Sequence, residues 1–139
     1  MAFAPPAPFV DLSASFMTDP PIIDQTALAR LDQLGGPGFA VRIIGIFLGE
    51  GPRRIADARD ALDRRDGSAL AHAVHALISS AGNVGATGLT TLVRGMEEDA
   101  ERERWDVLPE RMARLLVTFE AVRARLEQVR ADALGASDA

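Results

Sequence analysis

The sequence predicts an all-α protein, a bundle of antiparallel helices joined by short connections. Three observations carry this. Aromatic residues are only 5% of the 139 residues, so the core is built from Leu, Val, Ile and Ala rather than the aromatic and β-branched residues that strands favour. Apolar residues recur at spacings of three and four from Ile22 onward, with no alternating segment. Glycine and proline punctuate the chain at short intervals between these stretches.

The elements follow in order. Met1 to Pro21 hold five of the eight prolines, including Pro5-Pro6 and Pro20-Pro21, and are expected to form an extended or disordered arm. Phe3, Phe9, Phe16 and Met17 of this arm either pack on the domain or decorate a loose tail. Residues 22–133 form the helical domain and 134–139 a C-terminal tail. Asp24 caps a short first helix carrying Leu28 and Leu31, which Gly35-Gly36-Pro37 ends. A second helix spans about Phe39 to Arg64, with a stripe of Val41, Ile44, Phe47, Leu48, Ile55, Ala58 and Leu62. Pro52 is expected to kink or interrupt it near Gly51. Asp66-Gly67-Ser68 starts a third helix to Val84, and Gly85 suits a left-handed turn after it. A fourth runs from about Thr87 to Glu103 through Leu89, Leu92, Val93 and Met96. After Trp105-Asp106, a last helix from about Val107 to Ala133 carries Leu108, Met112, Leu115, Phe119, Val122 and Leu126.

Composition removes several functions. There is no cysteine, so no disulfide framework, thiolate metal site or cysteine nucleophile exists. All 15 basic residues are arginine, so no lysine can form a Schiff base. The net charge of −5 argues against a nucleic-acid partner. No apolar run approaches the roughly 20 residues that span a bilayer, and the N-terminus lacks the basic start of a signal peptide. A cytoplasmic, monomeric protein without membrane association is expected.

Chemistry concentrates in the third helix, which holds both histidines. At about 100° per residue, Leu70, Ala73, Val74, Leu77, Ala81 and Val84 form the inward stripe. Ser68, Ala71, His72, Ile78, Ser79 and Gly82 lie within about 60° of His75, which therefore stands near the middle of the outward face. Its neighbours are small, leaving room for a docking partner to reach the ring. A neutral imidazole is a good nucleophile near neutral pH. No Asp or Glu lies within a helical turn of His75, so an autonomous triad is not expected. Two histidines at a spacing of three make no metal site on their own, and none is expected. The acidic run Glu97, Glu98, Asp99, Glu101 and Glu103 reads as a solvated helix end, and Arg53, Arg54 and Arg59 as a solvated basic face. What remains is an exposed histidine that accepts and gives up a group while a partner supplies the machinery.

His75, Leu77, Ser80, Ala81, Asn83, Val84, Gly85 and Ala86 resemble the signature of the histidine-containing phosphotransfer (HPt) domain of bacterial phosphorelays. Ile23-Asp24, Phe47-Leu48, Pro52-Arg53-Arg54-Ile55, Ala61-Leu62, Asp66 and Leu89, Leu92, Met96 and Glu97 extend the likeness over about Ile22 to Arg130. The resemblance implies an up-and-down four-helix bundle with an additional short N-terminal helix. It implies that His75 accepts a phosphoryl group, through Nε2, from a receiver-domain aspartate and passes it to another receiver. Ala71, His72, Ile78, Ser79 and Gly82 are then the partner-binding surface. The expected partners are response-regulator receiver domains and a hybrid sensor histidine kinase. The protein would be a stand-alone phosphohistidine carrier that binds no cofactor itself, the receiver supplying Mg²⁺. No Gly-rich phosphate loop or kinase motif is present. Ile78 stands where the family has lysine and Ser79 where it has glycine. These departures motivate the alternative, a helical adaptor that binds a kinase or receiver domain without phosphotransfer.

Overall fold

The computed structural model describes residues 22–138; the proline-rich arm and its Phe3, Phe9, Phe16 and Met17 lie outside them. Five helices follow one another: α1 (Gln25–Gly35), α2 (Phe39–Asp63), α3 (Gly67–Asn83), α4 (Thr87–Glu101) and α5 (Leu108–Asp138). Helices α2 to α5 form the up-and-down antiparallel bundle. The short α1 is the additional helix, folded back onto α2 with a bend of 116° between the two axes. Among the described residues there is no strand, and no single helix is long and apolar enough to cross a membrane.

One core holds these helices together. Ile44, Leu70, Val74, Leu77, Val93, Met96, Leu108, Leu115 and Leu126 are fully buried. Phe47 of α2 packs against Phe119 of α5 with ring centroids 5.5 Å apart. Each fully buried aliphatic or aromatic side chain stabilises the fold by roughly 1.5–3 kcal/mol.

Local signals set the boundaries of α3 and α4, which carry the histidines. Asp66 caps α3, its Oδ1 accepting from Ala69 N–H at 3.0 Å. That hydrogen bond, aided by Arg64, holds the Asp66 carboxyl below its ordinary range. The α3–α4 turn closes on Gly85 at φ 77°, a left-handed conformation that side chains resist. Asp24 N–H donates to Gly85 O at 2.8 Å, tying the start of α1 to this turn. A Cβ on Gly85 would sit 2.6 Å from Asp24 O, so glycine is required twice over. Between α4 and α5, buried Asp99 faces Arg104 at 3.0 Å and Arg111 at 3.4 Å.

Three expectations need correction, the first in one of its two alternatives. α2 continues through Pro52 with no interruption. The proline is exposed, so the carbonyl its missing N–H leaves free lies where water can reach it. Gly51 beside it has a packing role, because a Cβ there would meet the Phe119 ring at 2.6 Å. The last helix continues to Asp138, through residues assigned from sequence to a tail. The acidic run is not uniformly solvated, since Asp99 is 2% exposed.

Candidate functional site

α3 presents one face to α2 and another to α4, and the strip between them holds His75. Its side chain is 67% exposed, as the helical layout requires. His72, Ser79 and Gly82 are exposed beside it. Ala71 and Ile78 are not free. Ala71 is 8% exposed and Ile78 packs partly against the core. The layout of one helix in isolation treats the whole arc around His75 as open. In the bundle, packing buries Ala71 and partly buries Ile78.

α4 also supplies the residue that single-helix reasoning missed. Glu97 Oε2 lies 2.8 Å from His75 Nδ1. The two are 22 residues apart, so no window along α3 contains both. The turn nevertheless encodes the pairing. His75 and Glu97 are equidistant from Ala86, and an antiparallel hairpin folded there places equidistant residues opposite each other. Gly82 and Thr90, again equidistant from Ala86, obey the same register: a Cβ on Gly82 would meet Thr90 Oγ1 at 4.0 Å.

The chemistry of this pair is directional. A carboxylate only accepts, so Nδ1 must carry the hydrogen. In a neutral ring the lone pair then resides on Nε2, the nitrogen farther from the backbone. The Glu97 side chain is 23% exposed and holds the ring in one tautomer and one orientation. An imidazole that becomes positively charged through reaction at Nε2 meets a counter-charge already in place at Nδ1.

Beside the pair a groove of about 520 Å³ opens between α3 and α4. Its floor is made of small residues, Gly67, Ala71 and Ala100, and His72, Glu101 and Glu103 stand along its sides with His75 and Glu97. Gly67 belongs there because a Cβ would lie 2.7 Å from Ala100 O. Among the described residues no arginine lines the groove. Arg53 and Arg54 on α2 engage Glu50. Among the described residues no group of three His, Asp or Glu side chains is arranged to hold a metal ion.

Comparison with known proteins bears on this arrangement. The family model described as Hpt domain matches residues 42–132. Among solved structures, the chain is similar to histidine-containing phosphotransfer protein B (HptB) from Pseudomonas aeruginosa PAO1. The identity is 25% and the TM-score 0.76, over 81% of this chain and 96% of that one. No curated protein sequence matches the chain.

Proposed function

The chain belongs to the Hpt domain family, and from that premise we propose that it is a phosphorelay intermediate with His75 as the phosphoryl acceptor. The observation that carries the reading is the exposed His75 ring fixed through Nδ1 by Glu97 at 2.8 Å. This leaves Nε2 as a nucleophile facing solvent.

The step balances without a base. The Nε2 lone pair attacks the phosphorus of a receiver's aspartyl phosphate. The P–N bond forms as the P–O bond to the aspartate breaks, and the aspartate leaves as a carboxylate with the bonding electrons. The ring keeps its Nδ1 hydrogen and gains a positive charge, which Glu97 neutralises. Transfer to a second receiver runs the same step in reverse. The Mg²⁺ and the acidic pocket belong to the receiver, and so does most of the catalytic machinery. Exposed His72, Ser79 and Gly82 form the surface on which a receiver or a hybrid sensor kinase docks, with Ala71 and Ile78 supporting it from beneath. The protein works as a cytoplasmic monomer in this reading.

Phosphotransfer profiling against the receiver domains of the source organism tests it. At least one receiver should exchange phosphate with the wild-type protein and none with His75→Gln. Receiver binding that survives His75→Ala, with no transfer to the wild-type protein from any receiver, would make the chain an adaptor and overturn the proposal.

A further inference from the structure

The groove beside His75 poses an electrostatic problem. A phosphoryl group brings about −1.5 to −2 charges near neutral pH. The groove walls carry Ser68, His72 and His75 together with Glu97, Glu101 and Glu103. Glycine and alanine complete the lining. Three carboxylates thus line the groove beside the His75 ring, and among the described residues no arginine accompanies them. Glu97 is committed to Nδ1 of His75. Of the other wall residues only Ser68 and His72 can donate to a phosphoryl oxygen, and only His72 can do so with a positive charge.

Geometry favours the same residue. His72 and His75 are three apart on α3, so their Cβ atoms are helix-surface neighbours about 5–6 Å apart. Side chains on a helix lean toward its N-terminus, so the His75 ring leans over the turn that carries His72. With Nδ1 engaged by Glu97, Nε2 is the ring nitrogen left free. Both imidazoles are exposed and both line the one groove.

We propose that His72 is a phosphoryl-binding residue: its imidazole N–H donates to an oxygen of the phosphoryl group carried on Nε2 of His75. This rests on the reading of His75 as acceptor. The donor that holds the group then comes from the preceding turn of α3, while Glu97 serves the opposite nitrogen of the His75 ring. A donor of this kind favours the fully ionised phosphoryl group and lowers its second ionisation.

Phosphoramidate, a small-molecule phosphoryl donor, can load the ring without any partner protein. The ³¹P resonance of the loaded protein is then followed against pH, and any signal that persists in His75→Gln is assigned to His72 and set aside. His72→Ala should raise the phosphoryl titration midpoint by about half a unit or more. His72→Arg, which supplies a permanently charged donor, should return it to the wild-type value or below. Circular dichroism should show all variants equally helical, since His72 is exposed. A midpoint unchanged in His72→Ala would overturn the proposal. Failure of every receiver to phosphorylate the wild-type protein would sink the relay reading but leave this comparison decisive, because chemical loading needs no receiver.

Discussion

The His75–Glu97 pair assigns different tasks to the two ring nitrogens. Nδ1 donates to a carboxylate at 2.8 Å and Nε2 is left with its lone pair. Charge-assisted hydrogen bonds of this kind contribute roughly 1.5–3 kcal/mol, and this one strengthens as the ring becomes cationic. Glu97→Ala should therefore slow phosphoryl transfer to His75 by about 10- to 100-fold. Glu97→Gln, which can still accept from Nδ1 but offers no counter-charge, should fall between the two. Single-turnover transfer from a phosphorylated receiver measures both. Equal rates in all three proteins would show that the pair does not assist the reaction. His75 itself was legible in the sequence, because its exposure follows from periodicity within one helix. Glu97 was not, because its role depends on the register between two helices. The departure at Ile78 also changes meaning in three dimensions. An aliphatic residue there packs partly against the core, where an outward position was expected.

At the scale of the element, the α3–α4 hairpin positions both members of the pair, and its turn is the point of control. Gly85 holds a left-handed φ and lies against the Asp24 carbonyl. Gly85→Ala combines the left-handed penalty of about 1–2 kcal/mol with that clash, and should lower stability by about 2 kcal/mol or more in urea titrations. A loss below about 0.5 kcal/mol would contradict the account. The start of α3 carries a pH signature. The Asp66 carboxyl is lowered from its ordinary value of 3.8, chiefly by the Ala69 N–H and further by Arg64. A lowered folded value means the carboxylate contributes stability above the ordinary value and loses it as pH falls through the folded one. Wild type should therefore exceed Asp66→Asn in Tm near neutrality, and the gap should close as pH drops below 3.8. A gap independent of pH would show that the charge contributes nothing. Glycine, aspartate and proline marked most helix boundaries correctly. Pro52 does not mark a boundary, because α2 continues through it and packing on both sides of it, as at Gly51 against Phe119, holds the helix together.

The whole molecule separates scaffold from site. The apolar stripes of α2 to α5 close one core, and that architecture was legible because stripe spacing is a property of each helix alone. The groove was not, since it exists only where Gly67, Ala71 and Ala100 let α3 and α4 approach over small side chains. Asp99 was likewise read as solvated, because its burial between α4 and α5 arises from the connection and not from its own helix. If scaffold and site are separable, Leu115→Ala on α5, fully buried, should cost about 2–5 kcal/mol. It should leave transfer to His75 unchanged at temperatures where the variant is folded. A transfer defect without loss of structure would show that the core tunes the site directly.

The central claim, that His75 Nε2 carries the phosphoryl group, is tested most directly by the chemistry of the bound phosphate. The protein is incubated with a radiolabelled phosphorylated receiver, and the label is challenged with acid and alkali. The account predicts label that is lost in acid, survives alkali, and is absent from His75→Gln while present in His72→Gln. Label that persists undiminished in His75→Gln, or that survives acid as a phosphoester would, contradicts it.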